Sequence, residues 1–113
     1  MNDQAQLVEN FKVAWSKAES ALVALHASKI QLFKAEEDWT RARERVLLEN
    51  KDTPEKLGKN ESMREASLNQ LLDPLVTEVS MLEIEVMEKN AEWLRCELSW
   101  KTWKSILDST RPQ

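Results

Sequence analysis

Glycine, proline, cysteine, histidine and tyrosine are scarce in this chain. Its 113 residues include one Gly, three Pro, one Cys, one His and no Tyr. So little Gly and Pro argues against a loop-rich or all-β chain, which needs frequent tight turns. A lone cysteine excludes an intrachain disulfide and any multi-cysteine metal site. Cys96 falls on an apolar stripe, where a thiol reads as a small hydrophobe; an intermolecular or reactive thiol is the alternative. No run approaches the roughly 18–20 consecutive apolar residues of a membrane span. The opening MNDQAQLVENFK has neither the basic start nor the apolar core of a signal peptide, so a cytoplasmic setting without membrane association is expected.

What remains is 42% hydrophobic and 32% charged, the profile of a helix-rich single domain over residues 1–113. The net charge is −4, and residues 61–113 carry most of the excess, with 6 basic and 10 acidic side chains. An acidic second half is a poor surface for nucleic acid.

Two long heptad tracks flank the only glycine. The first is Val8, Phe11, Trp15, Ala18, Leu22, Leu25, Lys29, Leu32, Glu36, Trp39, Arg43 and Val46. The second is Leu68, Leu72, Leu75, Val79, Leu82, Val86, Lys89, Trp93, Cys96, Trp100, Trp103 and Leu107. Spacings of three and four place each track on one face of an α-helix. The prediction is all-α: a long antiparallel, coiled-coil-like hairpin with helix 1 over about residues 4–50, a connection over 51–60 and helix 2 over about 61–108. Asp3 is the expected N-cap of helix 1, with Gln6 completing a capping-box-like start. Thr53-Pro54 can open one helical turn within the connection, and Gly58 can stop it. Asn60 is an N-cap for helix 2, and Ser62-Met63-Arg64-Glu65 has the pattern of a capping box. Asp73-Pro74 either ends one helix and starts another or kinks a single helix. The unbroken phase of the track favours a kink near Pro74.

Three further stripes matter. Leu7, Ala14, Ala21, Ser28, Ala35 and Ala42 recur every seven residues beside the first track, small enough to admit a close neighbour. On helix 2, Met81, Ile84, Met87, Ala91, Leu94 and Leu98 make an apolar stripe away from the track. Helix 1 has a shorter counterpart in Val23, Ala27, Ile30 and Phe33. Folding about residues 55–56 sets the two extra stripes level with each other. Val23, Ile30, Phe33, Met81, Ile84, Met87, Leu94 and Leu98 are therefore the expected self-association face of a homodimer forming a four-helix bundle.

Other candidates are weaker. Trp15, Trp93, Trp100 and Trp103, with Phe11, gather away from the turn; they are core plugs or a platform for a protein partner or for bases. The polar interruptions Lys29, Glu36, Arg43 and Lys89 either set register or reach to solvent. Arg41, Arg43, Arg45, Lys56, Lys59 and Arg64 form the one candidate nucleic-acid surface, although residues 41–64 hold seven basic and five acidic groups. Glu78, Glu83, Glu85, Glu88 and Glu92 lack the Glu-x-x-His motifs of a bundle metal site, because His26 has Val23 three residues before it and Lys29 three after. They read as a solvated acidic face, the alternative being a surface that docks a basic partner by charge. There is no phosphate-binding loop and no nucleophile–base spacing, so neither enzyme activity nor a cofactor or metal is expected.

The segment Lys56-Leu57-Gly58-Lys59-Asn60-Glu61-Ser62-Met63-Arg64-Glu65-Ala66 resembles small phage- and prophage-encoded helical-hairpin proteins of unknown function. In these a GKN-x-x-x-R turn separates a charged first helix from a Leu-rich second one. The resemblance implies an accessory phage protein, near replication or recombination or acting on host machinery, and it assigns no catalytic residue. The functional expectation is a protein–protein interaction or scaffolding module with an unknown partner; the alternative is a nucleic-acid accessory protein using the basic turn.

Overall fold

A computed structural model describes residues 3–110. They form α1 (Asp3–Glu49), a single 3-10 turn (Pro54–Lys56), α2 (Glu61–Leu71) and α3 (Asp73–Ser109), with no strand among the described residues. The fold is all-α and of the helical-hairpin class, with α1 packing on α3. Where the sequence suggests one domain, the contacts cluster into two compact units. One takes the chain up to Lys29 together with the chain from Glu85; the other is Ile30–Ile84. A side chain on a long helix touches only residues level with it, so no single core gathers the whole chain.

The 47 residues of α1 carry no Gly or Pro to interrupt their hydrogen-bond ladder. Asp3 lies in the first turn rather than at a cap, and Gln6 donates forward to Asn10 at 3.0 Å instead of reaching back. In the first unit Gln4 meets Thr110, Phe11 and Trp15 meet Trp100, and Ser28 meets Glu85. Those pairings run antiparallel and fall at, or within about one helical turn of, the level set by a fold point at residues 55–56.

The seam on α1 differs from the first heptad track. Ala14, Ala18, Ala21, Leu25, Ser28 and Ala35 are buried, while the track positions Trp15, Lys29 and Glu36 are exposed. The buried line is the small-residue stripe joined to Ala18, Leu25, Leu32, Trp39 and Val46, so alternate seam positions shift by one residue. Burying Lys29 and Glu36 unpaired would be costly, whereas small side chains admit a neighbouring backbone. Neither Lys29 nor Glu36 therefore sets register from within the seam. On α2 and α3 no member of the second track is exposed. The buried Ser28 hydroxyl donates to Glu85 Oε1 at 3.4 Å, so the seam's one hydroxyl has a partner.

In the second unit, the connection is tied down by its own groups. Asn60 caps α2 by accepting from Met63 N at 2.9 Å. The Ser62–Glu65 capping box does not form: Ser62 lies inside α2, and Glu65 pairs instead with Arg43 across the hairpin. Arg64 Nε donates to Gly58 O at 3.0 Å, and the Ser67 hydroxyl donates to Leu57 O. Gly58 has no positive φ, so it does not stop a helix through the left-handed conformation. Its role is close approach: a Cβ there would stand 2.7 Å from Met63 Cβ and 2.8 Å from Arg64 N. Because the obstruction includes backbone, Gly58→Ala is expected to destabilise by about 1–3 kcal/mol, read as a lower urea midpoint with an unchanged slope. An unchanged midpoint would mean that the connection yields freely.

The expected single kinked helix over 61–108 is instead two helices separated by one residue. Leu72 ends α2 with φ −100° and ψ 13°, and α3 begins at Asp73. Pro74 has no N–H, so the ladder cannot run through it, but it fits a first helical turn. Leu72 N still reaches Leu68 O at 2.9 Å, and Val76 N reaches Leu72 O at 3.0 Å. Such a small departure from helical geometry keeps Leu68 and Leu72 both buried, so the stripe holds its phase although the helix breaks.

Candidate functional site

The eight expected self-association residues are all exposed. Their placement differs from the shared patch that the sequence suggested. Val23 lies two residues from the buried Ala21 and Leu25, and Ile30 lies two from Ser28 and Leu32. Two residues is about 200° of helical rotation, so both side chains point away from α3. On α3, Ile84 stands in the same relation to Leu82 and Val86, Ala91 to Lys89 and Trp93, and Leu98 to Cys96 and Trp100. These side chains point away from α1. Within each unit, the α1 and α3 stripes are therefore the opposite outer edges of the helix pair, not one surface.

The α3 edge is the larger of the two. Ile84 is 56% exposed and Leu98 69%, with Met81, Met87 and Leu94 beside them. The flanks between this edge and the seam are polar: Glu83, Asn90 and Glu97 lie on one side, and Glu78, Glu85, Glu92 and Ser99 on the other. The apolar surface of α3 is thus a narrow ridge opposite the seam.

The tryptophans divide in character. Trp15 and Trp100 meet edge to face with centroids 4.9 Å apart, and Phe11 touches both rings. Trp93, Trp100 and Trp103 are half-buried, while Trp15 is 43% exposed. A small apolar cleft lies between Trp15, Ala18, Leu22, Trp93 and Trp100. These edge-to-face contacts make Phe11 and Trp100 part of the hairpin's own packing. In the second unit Trp39 lines a cleft with Glu36, Asn69, Asp73, Val76 and Glu83, and its buried indole N–H makes no hydrogen bond.

Of the basic candidates, three have partners. Arg41 pairs with Glu37 at 3.8 Å, Arg43 pairs with Glu65, and Arg64 holds the Gly58 carbonyl. Arg45, Lys56 and Lys59 are exposed. Half of the set is thus engaged in the hairpin's own contacts.

Cys96 is half-buried, and its thiol lies 3.5 Å from Glu92 Oε1. Burial first, then the hydrogen bond to Glu92 and its charge, pushes the thiol pKa up. Arg95, bonded to Glu92, holds that carboxyl below its ordinary range, with the Cys96 contact contributing. A thiol raised in this way stays protonated at neutral pH and is a poor nucleophile. Among the described residues, no three His, Cys, Asp or Glu side chains come together as a metal site. Among the same residues, no helix is long and apolar enough to cross a membrane.

The sequence located the exposed apolar residues and named Glu88 within an acidic set, but missed the ridge geometry, the place of Glu88 beside the ridge, and Arg95. The readable signal was their spacing of one residue before the seam positions Lys89 and Cys96. Comparison with protein-family models, with curated proteins and with solved structures finds no match to the chain.

Proposed function

We propose that this protein is a non-enzymatic, self-associating helical module that acts through protein–protein contacts. The supporting observation is the α3 ridge, where Met81, Ile84, Met87, Leu94 and Leu98 are all more than half exposed. Aligned side chains of this size on one helix face are a standing hydrophobic cost unless a partner covers them. The smallest assembly that does so is a homodimer, which brings the α1–α3 pairs of two chains together. The polar flanks of α3 favour joining hairpins at their edges over a closed four-helix bundle, which would bury Glu83, Glu85 and Glu92. The Lys56–Ala66 resemblance makes a cytoplasmic phage accessory role a compatible setting. The nucleic-acid reading is the weaker one, because Arg41, Arg43 and Arg64 already have partners.

Sedimentation velocity at micromolar concentration tests the reading on the wild type and on the Ile84→Glu, Leu94→Glu double variant. The expected result is a wild-type dimer. The double variant is expected to be monomeric with the same helical circular dichroism, its affinity weakened more than about 100-fold by burying unpaired charge. A wild-type monomer under these conditions overturns the proposal.

A further inference from the structure

We infer that the occupant of the α3 ridge is the same ridge of a second copy, laid antiparallel with Ala91 on the two-fold axis. This rests on the self-association proposed above and adds orientation and contacts to it. Ile84, Ala91 and Leu98 recur every seven residues along the crest. Ala91, the smallest of the three, stands midway, where two crossing helices come closest. An antiparallel pairing about Ala91 sets Ile84 of each copy against Leu98 of the other.

The flanks of the ridge decide the direction. On one flank lie Met87 and Leu94, each one residue after a seam position. On the other lie Glu88 and Arg95, each one residue before a seam position. A two-fold axis perpendicular to antiparallel helices keeps each flank on its own side. Met87 then meets Leu94 of the second copy, and Glu88 meets Arg95 of the second copy, each contact occurring twice. A parallel pair exchanges the flanks, setting Met87 beside Glu88 and Leu94 beside Arg95. Only the antiparallel arrangement matches apolar with apolar and acid with base. Both charges are available: Glu88 is exposed, and the Arg95 side chain is 69% exposed. The bond from Arg95 to Glu92 on its own helix does not consume the guanidinium, which has further donors.

Two measurements test the arrangement. Glu88→Arg alone and Arg95→Glu alone should each weaken the dimer about tenfold, and the two changes combined in one chain should recover most of the loss. In a Cys96→Ala background, an Ile84→Cys chain and a Leu98→Cys chain are mixed and treated with a short bis-maleimide. Antiparallel pairing yields the crosslink between the two kinds of chain and little from either alone. Crosslinking of either variant with itself means parallel pairing and overturns the inference. A dimer that gives no crosslink, with no recovery in the charge swap, also overturns it but leaves self-association standing. A wild type that sediments as a monomer removes both.

Discussion

Replacing Leu68 by alanine is expected to cost about 2–5 kcal/mol. Leu68 is 1% exposed, the most completely buried large side chain among the described residues, and the only buried residue of α2. That helix has 11 residues. A helix shorter than about 12–15 residues has marginal stability alone, so α2 depends on what it packs against. Its side-chain hydrogen bonds and ion pair are the Asn60 cap, the Arg43–Glu65 pair, the Arg64 bond to Gly58 O and the Ser67 hydroxyl on Leu57 O. Exposed or half-exposed polar contacts of this kind contribute less than a filled core position. Urea unfolding followed by circular dichroism should show a much lower midpoint for Leu68→Ala. A loss below about 1 kcal/mol would mean that the site collapses to fill the space and that α2 is held elsewhere.

The second large effect separates two neighbouring residues. Ala35→Leu is expected to destabilise by about 1–3 kcal/mol, whereas Glu36→Leu should change stability by less than about 0.5 kcal/mol. Ala35 is 5% exposed, and Glu36 lies on the surface. A leucine at position 35 adds three heavy atoms where the neighbouring helix approaches closely, which forces displaced backbone or unfavourable rotamers. At position 36 the same side chain meets water. Thermal and urea unfolding of both variants measure the contrast. The opposite order would restore the larger heptad track, with Glu36 inside it, as the seam.

That contrast also marks where the sequence stopped being legible. The Val8, Trp15, Leu22, Lys29, Glu36 and Arg43 half of the first track and the Leu7 to Ala42 line are both stripes of period seven, rotated by about 100° from each other. Periodicity establishes that a seam exists and is nearly blind to which of two adjacent stripes forms it. Bulk pointed to Trp15, Leu22 and their line; close approach selected Ala14, Ala21, Ser28 and Ala35. The same limit applied to the outer stripes. Val23 and Ile30 share a level with the α3 residues, and level is readable from chain position. Direction is not, because it depends on which face each helix turns inward. At Asp73-Pro74 the maintained phase suggested one kinked helix, yet a single residue at Leu72 can break a helix and barely rotate the stripe.

By itself the sequence determined the all-α hairpin class, the Asn60 cap and the line of exposed apolar residues on the second half. Those features follow from local chemistry: propensity, capping groups, proline's missing N–H and the period of apolar side chains. The tertiary structure alone decided the facing of the seam, the use of Gly58 for close approach and the opposition of the two outer edges. Each of these depends on the distance between two backbones, which no single helix encodes.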